Sequence, residues 1–379
     1  MKKFLVATSI IFNVTCTGFG QAFRPFPQNI DYPYGYSPAT ISSEETLNTY
    51  TRWKELLLVP CSEGYRVVCE SPEETRVEAI GFGMLITAYT GDKEAFDGLY
   101  HFYQSKRTVE ANQMMAWNVS CEGINDPGSA TDGDIDVAFA LIVAHNQWGG
   151  DYLNEANEVI RVIKNTVVIR CDSLLALAPG YSTESETGGL WGGCNLTDIQ
   201  YYTPAFFRVF ARVSADEDWD QLADDTYSIL HASAHPKTGL VPDWQSVSGT
   251  PGGNSVRIPY FRYDACRVPW RIALDYLWNG TETAGQWCKK VSGWAHGIGP
   301  ENIRDGYNLD GTENNQGYHN SAFVGGFAVA AMCNSQEISN AFGTEMGKLD
   351  DTHWFSLCTR TLYLLTITGN FWEPDVPVK

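Results

Sequence analysis

The hydrophobic pattern of the chain alternates between two kinds of predicted helix. An apolar stretch rich in small residues runs to a polar turn, and a stretch with one polar face follows it. Five such pairs are predicted: 78–89 with 94–105, 134–145 with 152–165, 204–213 with 219–232, 266–278 with 282–294, and 321–332 with 336–347. A sixth apolar helix is predicted at 354–368, and the early amphipathic segment 44–58 is its expected partner.

The turns within these pairs recur roughly every 54–66 residues, which indicates a repeat architecture. They lie at Gly91, Gly149, Ala215, Gly280 and Asn334. The first helix of each pair is apolar nearly all round and must be buried, whereas the second has a face for solvent. We therefore predict an all-α fold, an (α/α)6 barrel of six inner and six outer helices, with an open solenoid as the alternative. Short β segments are expected near 167–169 and 240–244.

The first residues have the form of a secretory signal peptide. Lys2 and Lys3 precede an apolar run at 4–14, which is too short to cross a bilayer, and small residues follow it. We assign 1–22 to a signal peptide and 23–379 to a single catalytic domain. The protein is thus expected to be secreted, either extracellular or periplasmic.

The composition narrows the choice of partner. The formal net charge of -19 excludes a nucleic-acid backbone or an anionic membrane as the main partner, because both require clustered Lys and Arg. The 12 Trp, 19 Tyr and 18 Phe suit either a large aromatic core or a surface on which sugars stack. We expect most of them to be core, and we expect the protein to be a monomer.

Ten cysteines fit an exported protein, and nine remain without Cys16, so at least one thiol is free. Cys61 and Cys69 are close enough in sequence to form a disulfide that closes one loop, and the other pairings are left open. The seven histidines include no HExxH motif, and no CxxC occurs. We predict no metal site and no cofactor.

If the inner helices run parallel, their N-terminal ends share one rim of the barrel, where a rigid scaffold can hold an active site. Its candidate residues are Glu78, Asp132, Tyr201, Tyr263, Asp264, His319 and Trp354. Plainer interpretations stay open: Glu78 and Asp132 as acids favoured at helix N-termini, Asp264 as an N-cap, and Arg267 as a partner of acids. Trp117 and Trp191 lie in polar loops, which favours sugar stacking.

Several of these segments resemble glycoside hydrolase family 8. The run Ala130–Leu141 followed by Trp148 is similar to the family signature, and further similar segments appear in order between about 75 and 372. They include 81–84, 96–100, 191–193, 201–206, 239–244, 263–267, 269–271 and 368–371. The resemblance implies an (α/α)6 barrel, the fold that the helix pattern also predicts.

The resemblance implies a role for each rim residue. Glu78 falls at the general acid, Asp264 at the general base of the endoglucanase branch, Tyr201 at the tyrosine that holds the attacking water, and Asp132 at the aspartate that contacts the central distorted sugar. Trp117, Trp191, Tyr263 and Arg267 match or neighbour substrate-binding residues, and Trp354 stands where related cellulases place tyrosines. Around Glu78 the chain reads Val-Glu-Ala-Ile-Gly-Phe-Gly-Met rather than the usual Ser-Glu-Gly-x-Gly-Tyr-Gly-Met.

The expected activity is that of an inverting endo-β-1,4-glucanase on cellulose-like or mixed-linkage β-glucan. An endo-β-1,4-xylanase is the first alternative, because the same chemistry serves both substrates, and a chitosanase is the second. A non-catalytic glycan-binding protein is disfavoured by the presence of both Glu78 and Asp264. A polysaccharide lyase of the same architecture would need a basic cleft, which the acidic balance disfavours.

Overall fold

The structure is a computed structural model that describes residues 22–184, 188–252 and 258–376. Its helices are α1 (Ser43–Leu57), α2 (Val77–Thr90), α3 (Lys93–Ser105), α4 (Thr131–Trp148), α5 (Tyr152–Val167), α6 (Pro204–Ser214), α7 (Asp218–Ser233), α8 (Val268–Asn279), α9 (Glu282–Ile298), α10 (Ser321–Ala331), α11 (Gln336–Met346) and α12 (Trp354–Ile367). Every predicted helix is present, most of them within three residues of the expected bounds. The predicted signal peptide lies outside the described residues apart from Ala22.

The even-numbered helices form a closed inner ring, which confirms the (α/α)6 barrel and excludes the open solenoid. Helix α2 packs between α4 and α12, and α8 packs between α6 and α10. Helix α10 also packs against α12, and the rings of Phe139 on α4 and Phe206 on α6 stack with centroids 3.6 Å apart, which joins the last pair. Helix α1 packs against α12, as the pattern predicted.

Burial follows the two helix types. Every residue of α10 and of α12 is buried, as are twelve of the fourteen residues of α2. Outer helices such as α5 bury one face only. Most aromatic side chains are core: Phe139, Phe206, Trp278 and Phe371 stack in the middle of the barrel. This confirms the core interpretation for the majority of the aromatic residues.

Short antiparallel strands lie in the loops between the helices. They are β1 (Leu58–Cys61), β2 (Gly64–Val67), β3 (Thr75–Arg76), β4 (Asn118–Val119), β5 (Ile124–Asp126), β6 (Val168–Cys171), β7 (Leu174–Leu177), β8 (Gly180–Ser182), β9 (Gly189–Trp191), β10 (Thr197–Asp198) and β11 (Trp244–Gln245). The pairs are β1–β2, β6–β7, β8–β9 and β10–β11, and β3–β4–β5 form a three-stranded sheet. None of the helices in the described ranges has the length and apolarity needed to traverse a bilayer.

The expected disulfide between Cys61 and Cys69 is wrong. Cys61 forms a disulfide with Cys121, and Cys69 is buried as a free thiol. In the β1–β2 hairpin Cys61 pairs with Gly64 at the tip, while Leu58 pairs with Val67 at the base beside Cys69. The length of the hairpin therefore separates the two sulfurs. A second disulfide joins Cys171 to Cys194, and the described residues include five free cysteines, so the expected free thiol is confirmed.

Candidate active site

Two glycines bring the first turns of α2 and α4 together, and with them Glu78 and Asp132. A Cβ on Gly133 would lie 2.6 Å from the backbone of Val77, and one on Gly81 would lie 2.9 Å from the carbonyl oxygen of Gly133. Only glycine allows this approach. The Val77 amide also donates to the Trp117 carbonyl at 3.0 Å, which fixes the start of α2.

Arg267 connects the three predicted carboxylates of the rim. It precedes α8, and its side chain is 3% exposed. Nη1 lies 2.5 Å from Glu78 Oε2 and 3.4 Å from Asp132 Oδ2, while Nη2 donates to Asp264 Oδ1 at 2.9 Å. A planar guanidinium suits this task because its donors point in fixed, divergent directions. These contacts agree with the interpretation of Arg267 as a partner of acidic residues.

The three carboxylates differ in exposure, which gives them different chemistry. Asp132 is buried, with 4% of its side chain exposed, whereas 33% of the Asp264 side chain is exposed. Burial raises the pKa of Glu78 to about 7; Arg267 opposes this, and Asp132 and Asp264 add to it. A carboxyl with this pKa still holds a proton near neutral pH and can donate it.

The aromatic and amide groups beside the carboxylates come from two loops. The Trp244 indole donates to Asp264 Oδ2 at 2.9 Å, and Gln200 Nε2 donates to Asp132 Oδ2 at 2.9 Å. Tyr201 follows Gln200 in the 3-10 turn 199–201, and its ring centroid lies 6.3 Å from that of Trp244. Burial raises the pKa of Tyr201 well above its ordinary value, so it remains a neutral phenol.

Two cavities flank this cluster. One of about 670 Å³, here called the Trp354 cavity, has a lining that includes Glu78, Asp264, Arg267, Tyr263, His319 and Trp354. The other, of about 640 Å³ and here called the Trp191 cavity, has a lining that includes Trp117, Tyr181, Trp191, Tyr201 and Trp244. The hydrogen bond from Trp244 to Asp264 marks where they adjoin. All nine predicted site residues therefore line the cavities or lie at the carboxylate cluster.

Trp354 is fixed by polar contacts and is almost fully buried, unlike an exposed ring on which a sugar could stack. Its indole donates to Glu70 Oε1 at 3.0 Å, the Arg76 guanidinium lies 5.5 Å from its ring centroid, and only 4% of the residue is exposed. Trp117 and Trp191 keep partly exposed surfaces on the other side. The second cavity thus offers more accessible indole surface than the first.

The sequence interpretation assigned no site role to Gln200, Trp244, Asp198 or Asp243. The segment containing Asp243 and Trp244 was noted only as a similar stretch. Asp243 Oδ1 accepts from the amides of Arg262 and Ala265 at 2.7 and 2.8 Å, which shapes the turn that carries Asp264. Among the described residues, one group of potential metal ligands is present, Cys61, Glu63 and Cys121, and the disulfide occupies its two sulfurs.

Comparison with known proteins places the chain in a family. The model for "Glycosyl hydrolases family 8" matches residues 26–366. The chain belongs to this family. It is a glycoside hydrolase of family 8, and its barrel is the fold of that family's solved enzymes.

Individual family 8 relatives agree along most of the chain. The chain is 33% identical to "Endoglucanase 2" of Ruminiclostridium josui, over 92% of this chain and 77% of that one. A solved β-1,3-1,4-glucanase from Paenibacillus sp. X4 superposes with a TM-score of 0.84 at 28% identity, covering 92% of this chain and 99% of that one. Rex8A from Paenibacillus barcinonensis, solved with xylose, shares the fold at a TM-score of 0.77 and 20% identity, with 90% and 98% covered.

Proposed function

We propose that the protein is an inverting endo-β-1,4-glucanase that hydrolyses cellulose-like or mixed-linkage β-glucan. Glu78 acts as the general acid and Asp264 as the general base. The observation that carries this proposal is the Arg267 guanidinium set between the Glu78 carboxyl, 17% exposed and with a pKa of about 7, and the more open carboxylate of Asp264, 33% exposed. The relatives named as endoglucanase and β-glucanase support the substrate class.

Glu78 is suited to protonate the glycosidic oxygen. Burial keeps its proton near neutral pH, and the charge of Arg267 limits how far its pKa rises. The leaving oxygen thus receives a proton as the bond breaks, so that no free alkoxide has to depart. A pKa close to the working pH gives both a protonated acid and an easily transferred proton.

Asp264 is suited to activate water on the opposite face of the sugar ring. The guanidinium of Arg267 lies between it and Glu78, so the two bonded carboxylate oxygens are roughly 8 Å apart at most; an inverting mechanism needs carboxyl groups roughly 6.5–9.5 Å apart, with a water between them. The indole of Trp244 holds one carboxylate oxygen, and the neutral phenol of Tyr201, whose ring lies 6.3 Å from that of Trp244, is the proposed partner of the water. Asp132, held by Gln200, is the proposed contact to the central distorted sugar.

The two cavities support attack within a polymer rather than at its end. Open space on both sides of the carboxylates accommodates sugars before and after the cleaved bond. The indoles of Trp117 and Trp191 supply flat apolar faces for pyranose rings. Binding energy from these distant rings can be used to distort the reacting sugar.

A substrate panel tests the proposal directly. Reducing-end release is measured on carboxymethylcellulose, lichenan, xylan and chitosan, and the anomer of the first product is read by NMR. We expect fastest release from a β-glucan, internal cleavage shown by a rapid fall in viscosity, and the α-anomer first. A β-anomer would rule out inversion.

Site variants make the test specific. Glu78→Gln and Asp264→Asn should each lower turnover at least about a thousandfold while preserving the fold and some oligosaccharide binding. Glu158→Gln is the matched control, because this carboxylate is 43% exposed on the outer helix α5, pairs with Arg161 and lines neither cavity. Fastest release from xylan would favour the endo-xylanase alternative. Fastest release from chitosan would favour a cationic substrate that matches the acids on the rim.

We further propose that the protein is exported. The pattern at residues 1–22 supports this, and so do two disulfides, which persist in oxidising compartments. Fractionation of the native host and N-terminal sequencing of the secreted protein test it. A full-length chain retained with the cytosolic fraction would contradict it.

A further inference from the structure

Asp198 is a fully buried acid with one unsatisfied oxygen. It precedes the 3-10 turn 199–201, is 0% exposed, and its Oδ1 accepts from the Gln200 amide at 2.9 Å. Its Oδ2 makes no hydrogen bond to any described residue. A buried carboxylate oxygen without a partner is costly, whereas a protonated carboxyl turns the same atom into a donor.

The backbone places Asp198 on the Asp264 side of the site. Asp198 lies opposite Trp244 in the β10–β11 pair, and the Trp244 indole donates to Asp264. Tyr201 follows three residues later. The charged groups that act on Asp198 are the acids Asp264 and Asp243 and the guanidinium of Arg267.

These surroundings favour the neutral form of Asp198. Burial is the main cause that raises its pKa well above the ordinary range, and the charge of Asp264 adds to it. Arg267 and the Gln200 amide act in the opposite direction without reversing the shift. An ionised Asp198 would also place a second negative charge beside the base and favour protonation of that base.

We propose that Asp198 is a positioning residue that stays protonated and donates a hydrogen bond from Oδ2 toward Asp264. This rests on the proposed role of Asp264 as general base. A donated hydrogen bond stabilises the ionised carboxylate and fixes its direction, so that the base is ready at a pH where Glu78 still holds its proton. Asp198 touches no substrate in this arrangement.

Two substitutions separate this role from its alternatives. Asp198→Asn keeps a neutral donor of the same shape, so kcat on lichenan should stay within about threefold of the unsubstituted protein, with an unmoved pH profile. Asp198→Ala removes the donor, so kcat should fall at least about tenfold with little change in KM. The acid limb of its kcat/KM profile should move to higher pH, because the base loses a contact that favours its ionised form.

Each contrary result is distinct. If Asp198→Asn is as inactive as Asp264→Asn, Asp198 works as a carboxylate and the proposal fails. If Asp198→Ala leaves the acid limb unmoved, whether kcat falls or not, the role is at most structural and the proposal fails. Thermal unfolding monitors the fold, and Asp198→Val, which fills more of the space and also lacks a donor, replaces the Ala variant if that variant does not fold. Activity retained in Asp264→Asn would instead overturn the proposed general base itself.

Discussion

Arg267 Nη1 lies 2.5 Å from Glu78 Oε2, and the same guanidinium reaches Asp264 through its other terminal nitrogen. One buried cation thus connects the proposed acid to the proposed base. This contact lowers the pKa of Glu78 while burial, Asp132 and Asp264 raise it. The acidity of the site is therefore a balance between desolvation and one positive charge.

Arg267→Lys should be strongly impaired although it keeps the charge. An ammonium is a point charge and cannot reach both carboxylates with fixed geometry. We expect kcat/KM on lichenan to fall at least about a hundredfold, with the thermal midpoint and circular dichroism used to confirm the fold. Near-normal activity of Arg267→Lys would show that the site does not need the two fixed terminal nitrogens of the guanidinium.

The pH profile should follow Glu78. Because this group must be protonated to act, kcat/KM should fall as pH rises through about 7. Asp132 raises the pKa of Glu78, so Asp132→Asn should move this alkaline limb to lower pH, besides lowering kcat. Glu158→Gln, on the outer helix α5, serves as the control with no shift. An alkaline limb that moves upward in Asp132→Asn would contradict the electrostatic account.

The pair between Arg271 and Asp136 should contribute to stability rather than catalysis. Both side chains are 1% exposed, Nη2 donates to Oδ2 at 2.7 Å, and the Arg271 guanidinium lies 4.4 Å from the centroid of the Trp270 ring. Asp136→Ala leaves a buried cation unpaired, which should cost about 3–5 kcal/mol of unfolding free energy in urea titrations. The double variant Asp136→Leu with Arg271→Met should recover most of this loss. A single variant as stable as the unsubstituted protein would contradict it.

The two disulfides should differ in their effect on stability. The Cys61–Cys121 bridge closes a loop of 60 residues and Cys171–Cys194 one of 23. On the chain-entropy model, Cys121→Ser should cost about 4 kcal/mol and Cys194→Ser about 3 kcal/mol. Calorimetry with and without reductant measures both. A reductant that leaves the midpoint of the unsubstituted protein unchanged would show that the bridges do not form.

Trp191 should contribute to substrate binding more than to the chemical step. Its ring is partly exposed in the Trp191 cavity and meets Trp244 edge-on at 5.4 Å. Trp191→Ala should lower kcat/KM about tenfold through KM, equal to about 1.4 kcal/mol. Leu190→Ala, an exposed neighbour on the same strand, is the control. An equal loss in both variants would point to damage of the β8–β9 hairpin.

The helix pattern is enough to predict the barrel and the rim that carries the site. Helices that are apolar all round alternate with amphipathic helices, and this alternation predicts which helices are buried. Six such pairs of similar length can bury all the apolar helices in one closed ring. Parallel inner helices then place their N-terminal ends together. For this reason Glu78, Asp132 and Tyr201 can be assigned to one rim from the sequence, although they lie far apart along the chain.

Which side chains meet depends on the three-dimensional packing of the chain. The Arg267 hub, the support from Gln200 and Trp244, the buried acid Asp198 and the true partner of Cys61 depend on directions and distances that no periodicity contains. The pKa of Glu78 likewise depends on how much water reaches it and on which charges lie beside it. Sequence pattern reports the burial of a helix face, whereas chemistry depends on the position of single atoms within it.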